Sequence, residues 1–196
     1  MVSDPDEDLL DALRAGEEAA FASLVGRYHT RLVRFAESLV PTRSIAEEVV
    51  QDTWLGVVRG IQGFEGRSSV KTWLFHILIN RAKSAGAREP RNERLGDGDG
   101  LDGRFDASGA WNQPPEPWSD AVDARVEAKQ VAQRVKECLP QLPPGQRQVL
   151  VLCDIEGVDS AAVCDLLGVS AGNQRVLLHR ARSHVRRILE TEMGRS

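Results

Sequence analysis

The sequence has few cysteines and no long apolar run, and these absences exclude several classes of protein. It contains three cysteines, Cys138, Cys153 and Cys164, and no C-x-x-C pair. This odd count favours neither a disulfide framework nor a zinc site, so we expect packing thiols and no metal. No apolar run approaches the roughly 18 residues of a membrane span. The acidic start MVSDPDEDLL lacks the apolar stretch of a signal peptide. Together these absences predict a cytoplasmic protein that does not insert into a membrane.

Catalytic signatures are also missing. The sequence has no Walker loop, no G-x-S-x-G and no H-E-x-x-H. Its four histidines, His29, His76, His179 and His184, do not have metal-ligand spacing. We therefore expect no enzymatic activity, no cofactor and no small-molecule substrate.

The charges are segregated along the chain, although the net charge is only −4. Residues 1–20 hold seven acids and one arginine, whereas residues 66–88 hold five basic residues and no acid. Residues 170–189 hold five arginines and again no acid. Two separate basic stretches on an acidic chain favour two local contacts with nucleic acid over two merely solvated helix faces.

Helical periodicity dominates and strand alternation is nearly absent, which predicts an all-α protein. We expect helices over residues 17–39, 44–62 and 69–88, the first of them ended by Pro41. Residues 91–120 contain five glycines, three prolines and seven acids without periodicity. This composition predicts a flexible acidic linker, after which a second helical unit runs from about residue 121 to 192.

The carboxy-terminal unit has the pattern of a helix-turn-helix. An apolar helix closes near Gly157, Asp159 can cap a short second helix, and Gly168 can end it in the left-handed conformation. Ser170 then caps a long basic helix, which is the order of elements in DNA-binding helix-turn-helix units. The expected core face of that last helix consists of Leu178, Ala181, Val185 and Ile188. A basic amphipathic helix for another partner is the alternative.

Helical spacing also divides the second and third predicted helices into two faces. Ala46, Val50, Thr53, Trp54, Val57 and Ile61 share the core face of the second helix, and Glu48, Asp52, Leu55 and Arg59 lie opposite. An acidic face with an exposed leucine suits a basic protein partner, unless it is simply solvated. On the third helix the apolar stripe is Val70, Leu74, Ile77, Leu78 and Ala85, opposite Thr72, His76, Asn80 and Lys83.

Aromatic residues lie in the same basic segment as the third helix. Asparagine reads bases well, lysine suits phosphate, and exposed aromatics beside positive charge suit single-stranded DNA. We expect Phe64, in the glycine-flanked loop QGFEGRSS, to be exposed, and Trp73 and Phe75 to pack in the core.

These segments resemble a known family. IAEEVVQDTWLGVVRGIQGFEGRSSVKTWLFHILINRAKS is similar to region 2 of the extracytoplasmic-function (ECF) sigma factors, subunits of bacterial RNA polymerase. The specific parts are the V-Q-[DE]-T-[FW] box, the F-x-G-x-S-S loop and the T-W-L-x-x-I-x-x-N helix. LPQLPPGQRQVLVLCDIEGV and LLGVSAGNQRVLLHRARSHVR resemble region 4 of the same family.

The resemblance implies a role for each matched segment. Core polymerase is expected to bind Glu48, Gln51, Asp52 and Leu55. The minus-ten element, including a flipped base, is expected to bind Phe64, Arg67, Ser68, Lys71, His76, Asn80 and Lys83. The minus-thirty-five element is expected to bind Ser170, Asn173, Arg175, Val176, His179, Arg180 and Arg182. The acidic linker would thread through the polymerase cleft.

The resemblance also implies a domain order and a function. We expect an acidic extension at residues 1–17, region 2 at 18–90, the linker at 91–120 and region 4 at 121–192. The chain would bind core polymerase, recognise promoter DNA and promote its opening for a stress or envelope-response regulon, and an anti-sigma factor would hold it inactive. A conventional helix-turn-helix regulator, acting without polymerase, is the alternative, but it leaves the region 2 motifs unexplained.

The sequence departs from the family pattern at three places. Asn173-Gln174-Arg175-Val176-Leu177 stands where Thr-Val-Lys-Ser-Arg is more common, so Gln174 replaces a core valine and Leu177 replaces a basic residue. His76 stands where arginine is common, and Ser160 stands in place of an aromatic.

Overall fold

The chain is built from helices grouped in two compact units. The structure, a computed structural model, describes residues 6–86, 133–135 and 137–193, and within these ranges all regular structure is helical. The first unit is formed mainly by residues 6–86 and the second mainly by the described residues after 132. The first unit contains α1 (Glu7–Arg14), α2 (Glu18–Ala36), α3 (Arg43–Gly60) and α4 (Val70–Ser84). The second contains α5 (Pro144–Leu150), α6 (Ser160–Leu167) and α7 (Ala171–Met193).

Helix α1 is absent from the sequence-based prediction, which treats residues 1–17 as an acidic extension. It begins after Asp6, whose buried carboxylate accepts hydrogen bonds from Arg27 and Tyr28 of α2. Leu13, near the other end of α1, is buried. An internal ion pair and an apolar contact therefore hold α1 within the first unit, despite its acidic composition.

Helices α2 and α3 pack against each other, and their ends differ from the predicted ones. Helix α2 ends at Ala36, before Pro41, because the chain turns there and the Ser38 hydroxyl donates to the carbonyl of Phe35 at 2.6 Å. The Thr42 side chain accepts from the amide of Ile45 at 3.3 Å and starts α3. The predicted core face of α3 is confirmed, since these residues are all buried: Ala46, Val50, Thr53, Trp54, Val57 and Ile61.

Two glycines let α3 and α4 approach closely. A Cβ atom on Gly56 would lie 3.0 Å from Cγ2 of Ile77, and one on Gly60 would lie 3.2 Å from Cζ2 of Trp73. Both distances are below ordinary van der Waals contact, so larger residues here would push the helices apart.

Helix α4 begins where expected and ends early. The Ser69 hydroxyl accepts from the amide of Thr72 at 3.1 Å, which caps the predicted first turn. Val70, Leu74 and Leu78 are buried and Ile77 is half-buried, as the apolar stripe requires. The prediction was wrong for Ala85, which is exposed because α4 ends at Ser84.

The second unit packs around α7. Its core cluster combines Cys138, Leu142 and Leu150 with three residues of α7, namely Ala181, Val185 and Leu189. Leu178 and Ile188 are partly buried against this cluster, so the predicted core face of α7 is confirmed. Helix α5 does not continue as a regular α-helix to Gly157, because residues Val151–Ile155 form a π-helical turn.

Two further sequence-based expectations concern the linker and membrane insertion. The linker predicted at 91–120 lies outside the described residues. Among the helices that are described, each is too short or too polar to cross a bilayer.

The close approach of α3 and α4 gives a matched stability test. We expect Gly56→Val to lower the free energy of unfolding by about 1–3 kcal/mol, because the branched side chain overpacks against Ile77. Gly26 lies in α2 and has no heavy atom near its Cβ position. Gly26→Val should therefore change the free energy of unfolding by less than about 0.5 kcal/mol. Urea denaturation followed by circular dichroism measures both, and equal effects would contradict the packing described.

Candidate functional site

The face of α3 that points away from the core carries the residues expected to bind polymerase. Glu48, Gln51, Asp52 and Leu55 are all exposed, and 53% of the Leu55 surface is accessible. We call this surface the α3 outer face. The amphipathic division predicted for this helix is correct, because its opposite side is buried.

Val58 belongs to the same surface and was missed by the sequence analysis. It is 55% exposed, and it lies one helical turn after Leu55. Its position outside the buried stripe of α3 was the available signal. The α3 outer face therefore has two exposed apolar side chains next to the acids Glu48 and Asp52, a combination suited to a protein contact.

The loop between α3 and α4 differs from expectation at Phe64. This side chain is buried rather than exposed, and its ring packs on Trp73 with the centroids 4.8 Å apart. The prediction of an exposed Phe64 was wrong because α4 supplies a half-buried aromatic partner, Trp73, on which the ring rests. Phe75 is fully buried, as expected of a core residue.

Beyond Phe64 the loop is polar and accessible. Gly66 has a φ of +70°, a left-handed conformation that glycine adopts without strain. Arg67 pairs with Glu65, and both side chains are largely exposed, so the pair is weak enough to open for another partner. Ser68 is exposed and Lys71 is half-buried.

The exposed side of α4 brings together three of the residues expected to contact the minus-ten element. His76, Asn80 and Lys83 are all exposed. The amide nitrogen Nδ2 of Asn80 lies 3.3 Å from Nδ1 of His76, one turn away. The arrangement presents an amide, an imidazole and an ammonium group along one helix, which are donors and acceptors suited to bases and phosphates.

In the second unit the helix-turn-helix geometry matches the sequence signals. The Asp159 carboxylate accepts from the amide of Ala161 at 2.8 Å and caps α6. Gly168 ends α6 in the left-handed conformation, with φ +67°. The Ser170 hydroxyl accepts from the amide of Asn173 at 3.2 Å and caps α7. These contacts fix a short helix, a tight turn and a long basic helix.

The residues expected to contact the minus-thirty-five element have different exposures on α7. Arg175 and Ser170 are exposed, whereas four others are half-buried, namely Asn173, Val176, His179 and Arg180. Leu177 is buried, so the residue that replaces a basic family position is part of the core.

Arg182 is held in an intramolecular ion pair. Its guanidinium donates to both carboxylate oxygens of Asp154, at 2.7 and 2.8 Å. The hydrogen bond to Asp154 raises the pKa of Arg182 above its ordinary value. A contact between Arg182 and DNA stays a prediction, and it would require this ion pair to open or to be shared.

Two departures from the family pattern, Ser160 and Gln174, contact each other in the second unit. The Gln174 side chain is buried, with 2% of its surface accessible. The Ser160 hydroxyl donates to the side-chain carbonyl oxygen of Gln174 at 3.3 Å. The side-chain amide nitrogen of Gln174 donates to the sulfur of Cys153 at 3.2 Å. Burial raises the pKa of the Cys153 thiol, and the hydrogen bond from Gln174 offsets part of that rise. Gln174 thus has polar partners where a valine would need none.

No metal site is evident among the described residues. Within that part of the chain, no three or more histidine, cysteine, aspartate or glutamate side chains are grouped closely enough to hold a metal ion. His29 accepts a hydrogen bond from the indole nitrogen of Trp54 at 3.3 Å.

Comparisons with known proteins agree with this arrangement. The family profile of Sigma-70 region 2 matches residues 24–91, and that of Sigma-70, region 4 matches residues 132–185. The chain is 25% identical over 181 residues to the ECF RNA polymerase sigma-E factor of Escherichia coli (strain K12), with 92% of each chain covered. It is 29% identical over 186 residues to the ECF RNA polymerase sigma factor SigM of Mycobacterium tuberculosis, covering 94% of this chain and 84% of the relative.

A solved structure shares the fold. The structure of CnrH in complex with the cytosolic domain of CnrY has a TM-score of 0.53 and 23% identity, covering 95% of this chain and 97% of that one. Both sigma regions are matched in order, and the curated relatives align along most of their length. The chain therefore belongs to the ECF subfamily of bacterial RNA polymerase sigma factors.

Proposed function

We propose that this chain binds core RNA polymerase through α3, captures single-stranded minus-ten DNA with α4 and the preceding loop, and reads the minus-thirty-five element with α7. The observation that supports the proposal best is the arrangement of α3 and α4. Two tightly packed helices have opposite chemistry on their free sides, acidic and apolar on α3, amide and basic on α4. A conventional helix-turn-helix regulator, which acts without polymerase, would not need the acidic and apolar α3 outer face.

Polymerase docking is assigned to the α3 outer face. Two apolar side chains, Leu55 and Val58, can be desolvated by a partner, while Glu48 and Asp52 select a basic surface. Apolar contact supplies affinity and charge complementarity supplies orientation and association rate. The core polymerase is the partner that the family membership implies.

A charge reversal tests the docking surface. We expect Asp52→Arg to weaken binding to core polymerase by roughly tenfold or more, because it places a cation against a basic partner. The fold should persist, since Asp52 is exposed. Glu17→Arg is the control, with the same change of charge at an exposed acid outside α3. Fluorescence anisotropy with labelled core measures both variants, and equal affinities for Asp52→Arg and the parent would remove docking from this face.

Promoter opening is assigned to α4. Asn80 can offer both a donor and an acceptor to an unstacked base, and Lys83, exposed on the same helix, can bind a phosphate. Because Phe64 is buried, stacking on an exposed phenylalanine is not part of the proposal. The proposed contacts to the base are therefore hydrogen bonds from α4 and from the loop residues Arg67 and Ser68.

Removing the Asn80 amide separates opening from initial binding. We expect Asn80→Ala to reduce open complexes by about threefold to tenfold, the effect of one or two lost hydrogen bonds. Binding to closed duplex at low temperature should be unchanged, because the base is then still stacked. Permanganate reactivity of the minus-ten thymines gives the open fraction, and equal footprints for variant and parent would exclude Asn80 from base capture.

Upstream recognition is assigned to the first turns of α7. In helix-turn-helix proteins the first turns of the recognition helix, which corresponds to α7 here, enter the major groove. Arg175 is exposed there, whereas Arg186 is exposed about three turns further along the same helix. Arginine near the start of the helix can read guanine, and arginine further along is better placed for phosphate.

The two arginines form a matched pair of variants. We expect Arg175→Ala to relax preference at one position of the minus-thirty-five element, at a cost of roughly 1–3 kcal/mol for the preferred base. Arg186→Ala should weaken binding to all sequences alike and lower the salt slope by about one. Holoenzyme binding to randomised upstream elements at two salt concentrations measures both. If both variants lose affinity equally for all sequences, Arg175 contacts the DNA backbone and does not read a base.

Regulation and location follow from the same assignment. We propose that the chain acts in the cytoplasm, where its polymerase is, and performs no catalysis itself. We also propose an anti-sigma factor as its inhibitor. Such a partner would block docking if it covered Leu55 and Val58. The CnrH structure, which holds the cytosolic domain of a second protein, is a precedent for a complex of this kind.

A further inference from the structure

Helix α1 contacts the loop that precedes α4 through its last residue. The guanidinium nitrogen Nη2 of Arg14 donates to the carbonyl oxygen of Phe64 at 2.8 Å, in a partly buried position. In return, the Gln62 side-chain amide donates to the carbonyl oxygen of Arg14. The two residues therefore join the end of α1 to the start of the loop by reciprocal hydrogen bonds.

Both hydrogen bonds involve backbone groups that regular structure leaves unsatisfied. The Arg14 carbonyl belongs to the last turn of α1, where carbonyl groups lack an intrahelical donor. Phe64 lies just after the short helical turn Ile61–Gly63, outside α3 and α4. A side chain that satisfies such a carbonyl fixes the backbone at that point.

The helix that supplies Arg14 is itself fixed. Asp6 at its start is buried against Arg27 and Tyr28, and Leu13 beside Arg14 is buried as well. The ring of Phe64 is buried on Trp73. The loop is thus restrained at Phe64 by a side-chain contact to α4 and a backbone contact to α1, and the exposed residues from Glu65 to Ser68 begin immediately afterwards.

We propose that Arg14 and Gln62 are positioning residues for promoter opening. They hold the backbone at Phe64 so that the following loop residues face an unstacked base. Gly63 and Gly66 flank this point and give the loop backbone wide conformational freedom. Without the contact to α1 the loop would sample other conformations, and each base capture would then have to order it. The inference rests on the assignment of the loop and α4 to the minus-ten element.

The contact also gives the acidic amino-terminal segment a part in recognition. Neither Arg14 nor Gln62 needs to touch DNA for this role. Their removal should slow opening and leave docking through α3 unchanged, because Glu48, Asp52 and Leu55 make no part of the contact.

The test compares Arg14→Ala, Gln62→Ala and Asp11→Ala in the full chain with core polymerase. Asp11 is the control, because it pairs with the same arginine but its side chain is 98% exposed, and its loss leaves the contact to Phe64 in place. Opening is followed by 2-aminopurine fluorescence in the minus-ten non-template strand. Core affinity, closed-complex affinity and thermal stability are measured on the same samples.

We expect Arg14→Ala and Gln62→Ala each to slow opening by about threefold to tenfold with core affinity unchanged, and Asp11→Ala to behave as the parent. Gln62 is exposed, so its variant should fold even if Arg14→Ala does not. Unchanged opening rates, or losses that match a loss of core affinity or thermal stability, would overturn the proposal. Asn80→Ala is run in parallel. If that variant opens DNA normally, the minus-ten assignment itself fails, whereas a defect in Asn80→Ala alone rejects only the role of Arg14 and Gln62.

Discussion

The close packing of α3 against α4 is the constraint on which the first unit depends. Gly56 and Gly60, one turn apart on α3, leave room for Ile77 and Trp73 of α4. Because the helices touch along these residues, their free sides are held at a fixed distance and angle. One free side is the α3 outer face, and the other bears Asn80 and Lys83. If α3 binds polymerase and α4 captures a base, as proposed, a shift of either helix would change the geometry between the two partners. A rigid contact of small residues would suit that role better than a longer, adaptable one.

In the second unit, polar contacts help to position the long helix α7. Helix α7, which is proposed to present its first turns to DNA, packs its other side in the core. Two residues of the π-helical segment, Cys153 and Asp154, reach α7 at Gln174 and Arg182. π-Helical turns often occur at functional positions. Here the turn supplies consecutive side chains to a thiol–amide contact and an ion pair, which fix α7 along its axis in a way that apolar packing alone would not.

Much of this arrangement could be predicted from the sequence, because helical periodicity reports directly on burial. The core face of α3, including the polar Thr53, and the caps at Asp159 and Ser170 were correct. Caps are local, since a side chain and an amide two or three residues away suffice to form them. The division of α3 into buried and exposed sides is nearly as local.

The features that could not be predicted depend on contacts between distant residues. Phe64 is buried because Trp73 lies beneath it, and α1 is ordered because Asp6 meets Arg27 and Tyr28. Composition alone made residues 1–17 look like an acidic tail. The pairing of Gln174 with Ser160 was equally hidden, although each residue had been recognised as a departure from the family pattern. Two exceptions that compensate each other can be identified as a pair only once the fold brings them together.

The central claim is that this chain opens promoter DNA only as a subunit of polymerase, with docking and base capture on adjacent helices. Fluorescence of 2-aminopurine in the minus-ten region of a promoter fragment tests it most directly, with core polymerase alone, the chain alone and the two together. The account predicts a fluorescence rise only in the third sample. Specific, tight duplex binding by the chain alone, with no rise when core is added, would contradict it and would identify a conventional helix-turn-helix regulator instead.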